Sequence, residues 1–219
     1  MLEKLCFNNP FGESLHYMKY TPNVASENGK CPLVILLHGY GERGPRDGSE
    51  IDRVVVHGYL KYVINDKKEY PFMIVAPQCP NDNFWGSYME SLNRFLDHLI
   101  DNNDIDIDRI YLTGLSMGGT ATWLWSQGAA DRFAAIAPVC GEGITWYASR
   151  LANLPIWTFH GDCDETVNPH ETLEMTGRIN KNGGNAKFTI LPGVKHNAWD
   201  YVYSNDELAD WFLSHKRTK

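Results

Sequence analysis

The stretch Gly114-Leu115-Ser116-Met117-Gly118-Gly119 decides how this chain is interpreted, because it joins a strand pattern to a helix pattern. The apolar run 109–113 precedes it, and the helix-like stretch 120–128 follows it. A serine between glycines at such a junction is typical of a sharp strand-to-helix turn that exposes the serine side chain. The flanking glycines have no side chains, so the two backbone segments can pass close to each other. The stretch therefore predicts an exposed nucleophile at Ser116.

A serine hydroxyl is a weak nucleophile at neutral pH, so Ser116 needs an imidazole to accept its proton and a carboxylate to orient that imidazole. Two later strand patterns, 154–159 and 186–191, end in loops that carry such groups. The second loop contains His196, which has the loop position and chain order expected of the base. The histidines without comparable context are interpreted as surface or core residues; they are His16, His57, His98, His170 and His215.

The loop after 154–159 is expected to supply the acid, because functional groups lie at the carboxyl ends of parallel strands. The residue types leave three carboxylates open, Asp162, Asp164 and Glu165. His160 precedes them and is interpreted as a structural histidine that satisfies buried backbone groups.

An oxyanion hole needs two backbone N–H groups aimed at the carbonyl oxygen as it gains charge. The first is predicted at Met117, which follows the nucleophile at the start of a helix. The second is predicted in the loop after the run 32–37, at Tyr40 with Gly41 behind it. His38 in this loop is interpreted as a structural brace.

Several segments taken together resemble alpha/beta-hydrolase esterases. These segments are Leu37-His38-Gly39-Tyr40-Gly41-Glu42-Arg43-Gly44, Ala76-Pro77-Gln78-Cys79-Pro80 with Trp85 following, 114–119, 160–167 and 196–199. The subgroup they resemble comprises phospholipase/carboxylesterase, polyhydroxybutyrate-depolymerase and feruloyl-esterase-like enzymes, often labelled predicted peptidases. In such enzymes the acid lies four residues after the histidine of His-Gly-x-x-Asp-x-x-Val. The resemblance therefore implies that Asp164 is the acid, and Asp162 is left as a loop-stabilising residue.

The patterns predict a single α/β domain over 1–219, with a mostly parallel twisted sheet, helices on both faces and no large lid. Strands are predicted near 32–37, 72–76, 109–113, 133–139, 154–159 and 186–191, with an antiparallel edge strand at 15–20. Helices are predicted near 87–102, 120–128, 168–181 and 205–215. The Asp-rich stretch 101–108 lacks the glycine and terminal glutamate of a calcium-binding loop and is interpreted as a helix-to-strand connector.

The composition argues against several classes of partner. The 219 residues carry a net charge of −7, which disfavours nucleic acid and anionic membranes. Neither a signal peptide nor a membrane-spanning run is visible. The five widely spaced cysteines favour a reducing compartment, and hence a cytoplasmic location. A secreted mature form and a bridge such as Cys79 to Cys140 stay open, and the sequence does not indicate an oligomeric state.

The leading hypothesis is a serine ester hydrolase acting on short-chain acyl, acetylated-sugar or feruloyl-type esters, including saccharide-linked ones. This route needs no cofactor and no metal. Trp85 and Trp199 are predicted substrate contacts, because aromatic walls suit sugar rings, phenolic acids and acyl chains. The alternatives are a small-peptide or aminoacyl amide hydrolase with the same triad, and a non-catalytic binding protein.

Overall fold

The structure is a computed structural model that describes residues 1–23 and 29–217, in which eight strands form one sheet. Their bounds are Leu2–Phe7 (β1), Leu15–Tyr20 (β2), Cys31–Leu37 (β3), Met73–Pro77 (β4), Ile105–Leu115 (β5), Ala135–Val139 (β6), Ile156–Gly161 (β7) and Ala186–Leu191 (β8). The order across the sheet is β1-β2-β4-β3-β5-β6-β7-β8. β1 and β2 are antiparallel, as are β2 and β4, whereas the pairs from β4 to β8 are parallel.

β3 shows why the central strands are continuous apolar runs. Leu33 and Ile35 belong to one hydrophobic core, whereas Val34 and Leu36 belong to a second. Because successive side chains of a strand face opposite sides, a strand covered on both faces needs apolar residues at every position.

The α-helices of the described residues cover both faces of this sheet. Their bounds are Gly58–Asn65 (α1), Met89–Asn102 (α2), Met117–Ala129 (α3), Pro169–Lys181 (α4), Trp199–Val202 (α5) and Glu207–Leu213 (α6). Phe95 of α2 and Trp123 of α3 pack in the first core, whereas Tyr59 of α1 and Phe212 of α6 pack in the second. The predicted α/β fold with a mostly parallel sheet is therefore confirmed.

β1 and α1 are two of the elements that the sequence pattern does not predict. β1 lies at the edge of the sheet and pairs with β2, so the prediction of 15–20 as the edge strand is wrong. Only Phe7 of β1 is buried, so this strand lacks an apolar run. α1 has only eight residues and starts at Gly58 with φ 68°, directly after a 3-10 turn at Ile51–Val55 and His57. Both elements depend on neighbours in the fold more than on local pattern.

The interpretation of 101–108 as a connector holds only for 103–104, because α2 ends at Asn102 and β5 begins at Ile105. Ile105 is buried, and Arg109 donates to Asp106 at 2.7 Å, so the acidic residues line the start of a strand. Nearby, the backbone N–H of Arg217 donates to the carbonyl oxygen of Asp108 at 2.8 Å, and its guanidinium donates to the Asp131 carbonyl at 2.9 Å. Arg217 is thus held at the end of β5 that lies away from Ser116.

Within residues 1–23 and 29–217, every helix is too short or too polar to cross a bilayer. All five cysteines are free thiols. Cys79 belongs to the first core and Cys140 to the second, so the sheet separates them and the bridge considered from the sequence is not formed.

Candidate active site

Ser116 lies in the turn between β5 and α3. Its backbone has φ 53° and ψ −118°, a conformation that residues with side chains rarely adopt. Its N–H donates to the carbonyl oxygen of Val139 at 2.9 Å, which holds the turn against β6. A methyl group at Gly118 would overlap the carbonyl oxygen of Leu37, and one at Gly114 would overlap the carbonyl oxygen of Gly118. The two glycines are therefore required by the close approach of α3 to β3 and β5.

Three predicted side chains meet in one chain of hydrogen bonds. Nε2 of His196 is 2.7 Å from Oγ of Ser116, and Nδ1 is 2.7 Å from Oδ2 of Asp164. Because a carboxylate only accepts, Nδ1 carries the proton and Nε2 can accept the proton of the serine hydroxyl. The Asp164 side chain is fully buried, whereas 21% of the His196 side chain is exposed. The arrangement can support nucleophilic chemistry, and the catalytic role of these residues stays a prediction.

The surroundings of Asp164 keep its carboxylate ionised. Burial raises its pKa, but the hydrogen bond from His196 and those from two backbone N–H groups outweigh burial and lower the pKa below its usual value. The N–H groups of Thr166 and Val167 donate to Oδ1 at 2.8 and 3.0 Å. Asp162 instead accepts from the N–H of Gly193 at 2.6 Å and is exposed, so it stabilises the loop.

The two predicted oxyanion donors lie beside the elbow, which is the strand-to-helix turn that carries Ser116. Met117 is the first residue of α3, and Tyr40 is the first residue of a 3-10 turn that ends at Glu42. Backbone N–H groups at the first position of a helical segment have no partner within that segment. A methyl group at Gly39 would lie 3.0 Å from Cδ1 of Leu115, so the turn packs directly against the residue before Ser116. The donor roles of Met117 and Tyr40 stay predictions.

Side chains of the Gly-Glu-Arg-Gly and Pro-Gln-Cys-Pro motifs brace this turn, a role that the sequence does not reveal. Nε2 of Gln78 donates to the carbonyl oxygens of Glu42 and Glu50 at 3.0 and 2.9 Å. Nε of Arg43 donates to the carbonyl oxygen of Tyr40 at 3.1 Å, and its guanidinium carbon lies 3.4 Å from the centre of the Tyr40 ring. These contacts fix the backbone that carries the second predicted donor.

The two tryptophans that were predicted to contact substrate have different surroundings in the structure. Trp85 is only 1% exposed, and its Nε1 donates to the carbonyl oxygen of His38 at 3.0 Å. The prediction for Trp85 is therefore wrong, because its indole packs in the core and holds the loop after β3. Trp199 is partly exposed and lies edge-on to the His196 ring, with ring centroids 5.2 Å apart. It remains a candidate substrate contact.

Cys140 also lies against the acid, and no sequence signal marks it. Its Sγ, an oxygen of Asp164 and a ring nitrogen of His196 all lie within 4.8 Å of one another. Cys140 is buried with φ 50°, and burial raises the pKa of its thiol to about 12. Metal ligands must be deprotonated and free to bind, whereas this thiol keeps its proton and the carboxylate oxygens already accept hydrogen bonds. The arrangement of Cys140, Asp164 and His196 is therefore better explained by hydrogen bonding around the Asp164 carboxylate than by metal binding.

Residues 21–204 match the family described as Phospholipase/Carboxylesterase. The chain is 25% identical over 161 residues to a bifunctional acetylxylan esterase/xylanase of Neocallimastix patriciarum, covering 74% of this chain and 20% of that protein. It is 30% identical over 132 residues to acyl-protein thioesterase 1 of Debaryomyces hansenii, covering 55% of this chain and 53% of that protein.

Among solved structures, the chain is similar to a thermostable esterase with a TM-score of 0.85 and 28% identity, covering 99% of this chain and 63% of that one. It thus spans less than two thirds of the length of each of these three relatives. The family match covers most of the chain and includes the elbow, the acid loop and the base loop. The chain belongs to the phospholipase/carboxylesterase family of alpha/beta hydrolases.

Proposed function

We propose that this chain is a serine hydrolase that cleaves carboxylic esters through an acyl-enzyme. The observation that carries the proposal is the pair of 2.7 Å hydrogen bonds that join Ser116, His196 and Asp164 in the order a triad requires. The family and the relatives named as esterases or a thioesterase support the same reaction class.

In the proposed reaction, Oγ of Ser116 attacks the ester carbonyl while Nε2 of His196 accepts its proton. Asp164 holds the imidazole in orientation and stabilises the imidazolium. The N–H groups of Met117 and Tyr40 bind the negative oxygen of the tetrahedral intermediate. His196 then returns the proton to the leaving alcohol, and a water molecule, activated by the same imidazole, hydrolyses the acyl-enzyme. This route needs no metal and no organic cofactor.

We propose small or saccharide-linked esters as substrates, with short-chain acyl, acetylated-sugar or feruloyl-type groups. Trp199 lies beside His196, and the exposed rings of Tyr40 and Phe84 lie 5.9 Å apart beside the turn that carries the second predicted donor. Aromatic faces bind sugar and phenolic rings. The acetylxylan esterase named among the relatives supports the saccharide-linked class.

Replacing Ser116 tests the reaction. We expect Ser116→Ala to lower turnover of a simple aryl ester by about 10⁴- to 10⁶-fold, as in other triads. Ser204→Ala, which changes an exposed serine, is the matched control and should keep full activity. A fluorophosphonate should label the parent protein at Ser116 and leave the Ser116→Ala protein unlabelled.

Near-full activity of Ser116→Ala would remove this residue from the mechanism. An unlabelled parent protein without esterase activity would favour a non-catalytic binding protein. Parallel assays on aminoacyl amides and on esters of varied acyl length, including feruloyl esters and acetylated sugars, define the substrate class. A clear preference for amides would contradict the ester proposal.

We also propose that the protein works in a reducing compartment such as the cytoplasm. All five cysteines are free, including two that are exposed to solvent, Cys6 and Cys163. Exposed free thiols are poorly suited to an oxidising environment.

A further inference from the structure

A second histidine contacts the carboxylate of Asp164. His160 is the penultimate residue of β7, and its side chain is completely buried. Its Nε2 lies 3.1 Å from Oδ2 of Asp164 and 3.0 Å from the carbonyl oxygen of Val167. Its Nδ1 lies 2.8 Å from Oγ1 of Thr172 in α4. Oδ2 of Asp164 is therefore shared by two imidazoles, those of His160 and His196.

The positions of the protons on His160 follow from these partners. Nε2 faces two oxygens that can only accept, so it carries a proton and donates to both. Burial lowers the pKa of His160 below its usual value, which keeps the ring neutral and leaves Nδ1 without a proton. Nδ1 therefore accepts from the hydroxyl of Thr172. The more distant contact of this hydroxyl, 3.2 Å to the carbonyl oxygen of Gly141, is the weaker alternative.

We propose that His160 is a positioning residue of the esterase, which fixes the rotation of the Asp164 carboxylate so that Oδ2 stays aimed at His196. This inference rests on the proposed function, because it concerns the acid of the same triad. Each oxygen of Asp164 receives two donors: Thr166 and Val167 donate to Oδ1, and the two histidines donate to Oδ2. Without the donor from His160, one side of Oδ2 would lose its hydrogen bond, and the carboxylate could rotate away from the base.

Thr172 connects this arrangement to helix α4. It is fully buried, and its hydroxyl selects the tautomer of His160 that can donate to Asp164. The chain of side-chain contacts thus runs from Ser116 through His196, Asp164 and His160 to Thr172. It links the turn after β5 and the loops after β8 and β7 to β7 itself and α4.

Two variants of His160 separate positioning from packing. His160→Phe keeps a planar ring but removes the donor, whereas His160→Gln can place an amide N–H close to the position of Nε2. We expect His160→Phe to lower kcat/KM by about 10- to 100-fold, mainly through kcat, because hydrogen bonds to charged groups are the stronger ones. His160→Gln should recover most of this loss. His170→Phe, the same change at an exposed histidine of α4, is the matched control and should leave kcat unchanged.

The pH profile of kcat/KM provides a readout that packing alone would not move. The titratable side chains in contact with Asp164 are His160, His196 and Cys140, whereas its loop neighbours Asp162 and Glu165 are exposed. When the carboxylate rotates away, the imidazolium of His196 loses the negative charge that stabilises it. The acidic limb should therefore move to lower pH in His160→Phe and return in His160→Gln.

A folded His160→Phe protein with parental kcat/KM and an unmoved acidic limb would overturn the proposal, as would a His160→Gln protein as impaired as His160→Phe. If His160→Phe does not fold, Thr172→Val tests the same contact, because it removes the donor to Nδ1. Thr172→Val should lower kcat by about 3- to 10-fold, the effect of a neutral hydrogen bond, with recovery in Thr172→Ser. Parental kcat in Thr172→Val would also overturn the proposal. Failure of the esterase function itself would differ, because the parent would then lack activity and fluorophosphonate labelling.

Discussion

At the scale of single residues, His38 makes the stability of this protein depend on pH. It is only 2% exposed; its Nδ1 donates to the carbonyl oxygen of Gly39 at 2.6 Å, and its Nε2 accepts from the N–H of Cys79 at 2.9 Å. Burial lowers its pKa from 6.5 to about 4. A second proton on Nε2 would face the N–H of Cys79, so the folded state disfavours the charged ring.

We predict that protonation of His38 in acid lowers the free energy of unfolding. The unfolded chain binds this proton near pH 6.5 but the folded chain only near pH 4, so the stabilisation is complete above pH 6.5 and is lost as the pH falls towards 4. The loss from this group should reach about 2.5 kcal/mol at pH 4.5. Urea unfolding at pH 7 and pH 4.5 measures it: His38→Gln should show a pH dependence smaller by about this amount. His170→Gln should behave like the parent, and an unchanged dependence in His38→Gln would contradict the prediction.

The residues of the site differ in how far sequence predicts them. Ser116 and His196 are predictable because their chemistry demands a particular type of residue at the end of a strand. Trp85 is not, because its partner is a carbonyl oxygen 47 residues away, and only the packing of two loops turns its indole inward. The contact of His160 with Asp164 is also hidden, because the sequence shows the spacing of the two residues but not the direction of the imidazole.

At the scale of elements, two of the three glycines of α3 have opposite roles. Gly118 packs on the backbone of Leu37 and His38 at the end of β3, where an added methyl group would overlap main-chain atoms. Gly128 is exposed near the other end of the helix, and a methyl group there would have no neighbour within 4 Å. The same substitution should therefore change stability in opposite directions.

We predict that Gly118→Ala lowers the free energy of unfolding by about 3 kcal/mol or more, because backbone atoms must move to accommodate the methyl group. Gly128→Ala should raise it by about 0.5–1 kcal/mol, because alanine restricts the unfolded chain and favours helix. Thermal unfolding of both variants gives the measurement, with a large fall in Tm for the first and a small rise for the second. Equal effects of the two substitutions would show that the contact of α3 with β3 is not tight.

The elements themselves are predictable where the pattern is strong. The central strands β3 to β7 are apolar on both faces, and their observed bounds lie close to the predicted ones except at β5, which begins earlier. α4 begins within one residue of its predicted start, where Asn168 caps it by accepting from the N–H of His170 at 3.0 Å. β1 has no such signal, since its stability comes from pairing with β2 along its whole length.

At the scale of the whole molecule, the thiols report on the compactness of the fold. Cys6 and Cys163 are exposed, and Cys31 is partly buried. Cys79 and Cys140 are buried on opposite faces of the sheet, and burial raises the pKa of each thiol to about 12. Disulfide reagents react with thiolates. Cys79 and Cys140 are therefore protected because reagents cannot reach them and because their thiols stay protonated.

We predict that a thiol reagent such as dithionitrobenzoate modifies Cys6 and Cys163 first in the folded protein and leaves Cys79 and Cys140 unmodified. In denaturant, all five thiols should react, with or without prior reduction. Peptide mapping identifies the modified positions. A count of three in denaturant without reduction would reveal a disulfide and contradict the free thiols of the structure.

The hydrogen bonds of Arg217 to Asp108 place Arg217 and Ser116 at opposite ends of the sheet. A strand rises about 3.3 Å per residue, so Asp108 and Ser116 lie about 25 Å apart along β5. A tag, a solid support or an additional module joined beyond residue 217 would lie near Asp108. Bulky polymeric esters could still approach Ser116 at the opposite end of the sheet. A module joined beyond residue 217 would therefore leave the surface around Ser116 accessible.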